Sequence, residues 1–254
     1  MDTNFEDLKE SYLNYEGKNK ITNEENEDGD DCNNVNEEDP SNQNDNIKEM
    51  GMPNIAKTLD PSIQVVPIIG QIEGHNVQNP QTKTTKYEHL IPMLISMERD
   101  DDVKGILTVL NTVGGDVEAG LAIAEIITSL SKPVVSLVIG GSHSIGVPLA
   151  TCADYSFISP SATMIIHPIR MNGLVMGVPQ TFNYFSKMQE RISDFVVRTS
   201  HIQKEVFEQL MLENKELLND MGTILVGREA VECGLIDEVG GVTDAIKKLK
   251  QLME

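Results

Sequence analysis

The apolar positions of this chain fall into short blocks whose period alternates between strand and helix. Ile63-Gln-Val-Val-Pro-Ile-Ile69 reads as a first strand ending at Gly70. Residues 87–99 carry apolar side chains at helical spacing, and Gly105-Ile-Leu-Thr-Val-Leu110 is a second strand running into Asn111-Thr-Val-Gly-Gly115. Asp116 is placed to cap a helix in which Val117, Leu121, Ile123, Ala124 and Ile127 recur on one face. Lys132-Pro133 ends that helix, and the apolar run Pro133-Val-Val-Ser-Leu-Val-Ile139 forms a third strand. The glycine-rich turn Gly140-Gly-Ser-His-Ser-Ile-Gly146 then opens another helix. Short strands follow at 155–158 and 163–166, and helices at about 180–199, 203–219 and 242–252. Strands alternating with helices predict an α/β fold with a largely parallel sheet. In such sheets ligands bind outside the carboxyl ends of the strands, where both glycine-rich turns lie.

Charge divides the chain in two. The first fifty of its 254 residues hold 16 Asp/Glu against 4 Lys/Arg and are poor in apolar residues. Such a segment buries too little apolar surface to offset its ordering entropy, so residues 1–60 are expected to be a disordered acidic tail. Residues 61–254 are long enough to form one domain with a sizeable core. The formal net charge of −20 and the absence of a basic stripe argue against nucleic-acid binding. No secretory signal and no membrane-length apolar run is evident, which predicts a cytoplasmic protein. The three cysteines, Cys32, Cys152 and Cys233, are too scattered for a disulfide framework or a zinc site, and no cofactor is called for. Met93, Met97, Met164 and Met188 read as core packing.

The candidate chemistry lies in the two turns. Ser144 follows a buried strand and precedes a helix, where unpaired backbone N–H groups can stabilise an oxyanion beside an exposed hydroxyl. A backbone N–H near Gly114 or Gly115 can converge there with that of Ile145, because glycine lets the backbone approach closely. A serine hydroxyl needs a base, and there are five histidines to choose from. His75 sits in a polar connection, His89 on a surface helix face and His201 at a helix junction. His143 adjoins the serine but points away from it. His167 closes the strand 163–166, held extended by Pro168, and is the best-placed base.

Gly140–Gly146, Asn111–Gly120, the His167-Pro168 strand end and Gly227-Arg-Glu-Ala-Val-Glu-Cys-Gly-Leu-Ile-Asp237 together resemble the proteolytic subunit of the Clp protease family. Within it they resemble the divergent translocation-enhancing branch. The likeness covers about 62–254. It implies a crotonase-like fold and a peptidase using a Ser-His-Asp triad: Ser144 as nucleophile, His167 as base, and the backbone of Gly114 and Ile145 as oxyanion hole. Counting back from Gly234 without gaps puts Leu218 at the third position, and a loop shortened by two residues puts Asp220 there. The family's Ser-Pro-Gly-Gly is here Thr112-Val113-Gly114-Gly115, and its His-x-Pro is His167-Pro168.

Further expectations rest on the same resemblance. The segment 168–180, with Gly173 and Gly177, and the helix after it resemble the handle through which family members form and stack homo-oligomeric rings. Substrates would be peptides or unfolded proteins. An unfoldase ATPase would have to be a partner, since the chain has no phosphate-binding loop of its own. Two other classes stay open at this point: a non-catalytic Clp-like scaffold and a crotonase-type acyl-CoA enzyme.

Overall fold

The computed structural model describes residues 60–170, 177–213 and 221–254. The acidic tail, apart from Asp60, lies outside them, as do Gly173, Leu218 and Asp220. The described elements are β1 (Ile63–Glu73), β2 (Thr84–Lys86), α1 (Tyr87–Arg99), β3 (Gly105–Gly115), α2 (Val117–Ser129) and β4 (Val134–His143). They continue with α3 (Gly146–Thr151), β5 (Tyr155–Ile158), β6 (Thr163–Ile166), α4 (Val178–Thr199) and α5 (Lys204–Leu212). The C-terminal part contributes β7 (Thr223–Val226), α6 (Arg228–Glu232), β8 (Glu238–Val239) and α7 (Val242–Leu252).

One sheet runs in the order β2-β1-β3-β4-β5-β8, and β6 lies between β4 and β7. Every pairing is parallel except β6 with β7. Residues 135–138 of β4 pair with β5 and residues 141–143 pair with β6, so β5 and β6 lie end to end along one edge of β4. This is the expected mixed α/β architecture, with a mostly parallel sheet wound by helices.

Successive strand residues face opposite sides, and each side has its own core. Ile106, Val134 and Val138 pack with the apolar faces of α1 to α5, through residues such as Leu94, Ile123, Leu149 and Phe195. Leu107, Val135, Leu137 and Phe157 pack with Ala245 and Leu249 of α7. Burying each large side chain of this kind stabilises the fold by about 1.5–3 kcal/mol relative to exposure. Met164 and Met188 are buried, and Met93 and Met97 pack against the core.

Several element boundaries differ from the sequence expectation. β1 continues past Gly70 to Glu73 through a register slip at Gly70/Gln71, and β3 and β4 continue through their glycines to Gly115 and His143. Neighbouring strands explain this. Ile72 pairs with Gly115, and β6 pairs with Gly141–His143, so the glycines stay in the ladder. The turn shrinks to Ser144-Ile145. The helix expected over 203–219 stops at Leu212, because Glu213 takes an extended conformation (ψ 140°), and residues beyond it fall outside the described set.

Candidate active site

Ser144 leaves β4 in a left-handed conformation (φ 58°) and is the one non-glycine residue with positive φ among the described residues. Such a residue costs roughly 1–2 kcal/mol, and the surrounding contacts hold it there. Its N–H donates to Ile165 O (2.8 Å), and its carbonyl accepts from Val147 N (3.0 Å) at the start of α3. The Ser144 hydroxyl is half-buried and makes no hydrogen bond among the described residues. Ser142, two residues earlier, is fully buried and spends its hydroxyl on Gly146 O (2.6 Å).

His167 follows the last residue of β6. Since His143 pairs with Ile165, the serine and histidine leave neighbouring parallel strands at the same end. The imidazole Nδ1 lies 2.7 Å from Pro168 O. A carbonyl only accepts, so Nδ1 carries a proton in this contact, the arrangement that in a neutral imidazole makes Nε2 the acceptor. That is the tautomer a general base requires. The chain beyond is anchored by Ile169 N donating to Gln189 Oε1 of α4 (2.8 Å). Gly222, just before β7, packs against the backbone at Ile166 and His167, and a Cβ there would lie 2.9 Å from His167 Cβ.

Ile145 is buried, and its N–H has no hydrogen-bond acceptor among the described residues. Gly114 is its neighbour across the strand ends. A Cβ on Gly114 would lie 2.8 Å from Ser144 Cβ and 3.3 Å from Ile145 N, so the two turns do converge. Gly114 has φ +86°, which an L side chain rarely adopts. Its N–H, however, donates to Thr112 Oγ1 (3.0 Å). Ser144, Ile145, His167 and Gly115 line a cavity of about 160 Å³ whose walls include Val147, Ile192 and Phe207. Arg170 lines the same cavity.

A strained serine, an open amide and a histidine at adjoining strand ends invite comparison with known proteins. The sequence profile described as Clp protease matches residues 72–243. The chain belongs to the Clp protease family. It is 53% identical over 215 residues to the translocation-enhancing protein TepA of Halalkalibacterium halodurans, covering 85% of this chain and 84% of that one. It is 30% identical over 155 residues to the ATP-dependent Clp protease proteolytic subunit 1 of Protochlamydia amoebophila, covering 59% of this chain and 72% of that one. Membership of the Clp family supports a protease-type function.

Within the Clp frame, the structure brings Ser144, Ile145, Gly114 and His167 to one end of the sheet. Asp220 lies outside the described residues. The other histidines are engaged elsewhere or exposed. His143 Nε2 meets Thr163 Oγ1 (2.8 Å), and burial, with the nearby His167 second, holds its imidazole below the ordinary histidine range. His75 Nδ1 meets Tyr87 Oη (3.1 Å), His201 Nε2 meets Asp237 Oδ1 (3.1 Å), and His89 is exposed. Sequence reasoning missed two participants: the Pro168 carbonyl and the Thr112 hydroxyl. Thr112 occupies the first position of the Thr-Val-Gly-Gly motif, where a hydroxyl two residues before the glycine is itself the signal of a side-chain turn. No grouping of three or more His, Cys, Asp or Glu suited to a metal ion occurs among the described residues, and no described helix is long and apolar enough to cross a membrane.

Proposed function

We propose that residues 61–254 form a serine-type endopeptidase that hydrolyses peptide bonds in peptides or unfolded proteins. The observation that carries the reading is the delivery of Ser144 and His167 from adjacent parallel strand ends into one cavity, beside the open Ile145 amide. Nε2 of His167 takes the Ser144 proton as Oγ attacks the scissile carbonyl. The Ile145 N–H, and that of Gly114 once released from Thr112, receive the tetrahedral oxyanion. His167 then protonates the leaving amine, and water hydrolyses the acyl-enzyme by the same route. The Pro168 carbonyl holds the Nδ1 proton in place, and Asp220 is assigned to stabilise the imidazolium as third member of the triad. The chemistry needs no cofactor. The catalytic unit is a homo-oligomeric ring in the cytoplasm, assembled through the handle that begins at Pro168 and continues in α4, and an unfoldase ATPase partner would feed it folded substrates.

A second reading, a Clp-like scaffold, draws on the closed Gly114 amide. Labelling with a fluorophosphonate separates the two. Ser144→Ala should abolish labelling, and His167→Ala and Asp220→Ala should weaken it strongly. Well-folded wild type that neither labels nor hydrolyses a fluorogenic peptide would favour the scaffold. Turnover of a coenzyme A thioester in place of the peptide would sink both.

A further inference from the structure

Thr112 is 1% exposed, and its hydroxyl is fully committed. Thr112 Oγ1 donates to Gly70 O (2.6 Å) in the slipped segment of β1 and accepts from Gly114 N (3.0 Å). A hydroxyl has one proton to give, so the direction of this relay is fixed: Gly114 N–H to Thr112 Oγ1–H to Gly70 O. Relays of this kind polarise each link, which strengthens the hold on the Gly114 amide. The Thr112 methyl also packs toward Gly146, where a Cβ would lie 2.8 Å from Thr112 Cγ2. The residue therefore spans both turns of the site. The peptide it restrains joins Val113, whose side chain is 65% exposed, to Gly114, which pairs with Gln71 just past the slip in β1.

We propose that Thr112 is a positioning residue that keeps the Gly114 amide out of the oxyanion hole until negative charge develops on the substrate oxygen. The inference rests on the serine-peptidase reading and assigns the regulation of that same site. Against a neutral substrate carbonyl, the amide stays in its short-range bond to the threonine hydroxyl, which its own donation to Gly70 O polarises. An oxyanion is a charge-assisted acceptor about twice as strong, and it draws the amide away. Rotation of the 113–114 peptide then breaks the Gly114 N–H bond to Thr112 Oγ1 and makes one to the substrate oxygen, while the Thr112 hydroxyl stays bonded to Gly70 O. The second donor is thus engaged in the transition state and withheld from the ground state, which is the condition for raising turnover instead of merely tightening binding.

The test compares wild type, Thr112→Val and Thr112→Ser in the full chain by the rate of fluorophosphonate labelling and by peptide kcat/KM, with Ser144→Ala as blank. Valine keeps the shape and removes the acceptor. Labelling and kcat/KM should rise about three- to tenfold, the factor carried by one neutral hydrogen bond, with KM falling. Thr112→Ser should return both to near the wild-type value. Wild type that labels at Ser144, with Thr112→Val labelling no faster while folded, overturns this inference and leaves the peptidase reading standing. Inert wild type with a Thr112→Val that gains Ser144-dependent labelling upholds it. If neither protein labels, both readings fall. Thr112→Val also strips Gly70 O of its donor, so a measurement on wild type covers failure to fold. The amide proton resonance of Gly114 should move downfield when Ser144 is phosphonylated, together with that of Ile145. Movement of Ile145 alone refutes the role given to Thr112.

Discussion

Gly120 in the first turn of α2 tests how closely the nucleophile turn is held from behind. A Cβ built on it would lie 2.4 Å from Ile145 Cγ1 and 3.1 Å from Cγ2. Carbon atoms rest at about 3.5–4.0 Å, so Gly120→Ala requires more than about 1 Å of separation between α2 and Ile145. Ile145 is 1% exposed and has nowhere to swing. Overpacking of this kind costs about 1–3 kcal/mol, against a helix-propensity gain for alanine of up to about 1 kcal/mol, reduced in a first turn. The expected net loss is about 1–2 kcal/mol, or a Tm lower by about 2–8 °C for a domain of this size. Because Ile145 carries the open amide next to Ser144, labelling should fall by up to about a hundredfold, the effect of a 1 Å misplacement. Denaturant melts and labelling rates would be measured for Gly120→Ala, Ile145→Ala and the double variant. Removing the isoleucine branches makes room for the added methyl, so the double variant should be more stable than additivity predicts by at least about 1 kcal/mol. A Gly120→Ala protein that is more stable than wild type and labels normally would refute the argument.

Three further outcomes follow from the geometry. Ser144→Gly relieves a left-handed conformation without losing any hydrogen bond of the hydroxyl, so denaturant midpoints should show stability equal to wild type or higher by up to about 1 kcal/mol, while labelling is lost. The His143 imidazole is held below its usual value of 6.5, so its contribution to stability is complete above that value and drains away as pH falls below it. His143→Gln should flatten that acid-side slope in urea midpoints taken from pH 7.5 to 5, and an unchanged slope would remove His143 as its source. Asp116 caps α2 through Ala119 N (2.8 Å), so Asp116→Ala should cost about 1 kcal/mol in denaturant melts and Asp116→Asn much less.

The parts of the site legible in the sequence were those with a local signature. Ser144 stands between an apolar run and a helix, His167 between an apolar run and a proline, and Asp116 at a helix start. The turns were drawn too long because glycine pairs read as breaks, whereas Gly115 and Gly141 are held in the ladder by strands distant in sequence. Thr84–Lys86 and Glu238–Val239 are too short and polar to show a period, yet the sheet uses both. The helix expected over 203–219 runs past the extended Glu213, and residues 214–219 of it lie outside the described set. The Thr112 relay has no periodicity at all. It depends on which carbonyl the slip in β1 presents, and only the assembled sheet supplies that.

The antiparallel seam between β6 and β7 bears on how the protein is made. As the chain is synthesised, residues through Ile166 can pair along β4, but the other edge of β6 stays bare until Thr223–Val226 is added. During that interval the growing polypeptide presents an unpaired strand edge carrying Met164 and Ile166, a template for association with other nascent chains. The strand that ends this exposure is the one that brings Gly222 up against His167. Covering of that edge and packing against the candidate base are therefore reached in the same step of biosynthesis, and a chain that ends before β7 lacks the first.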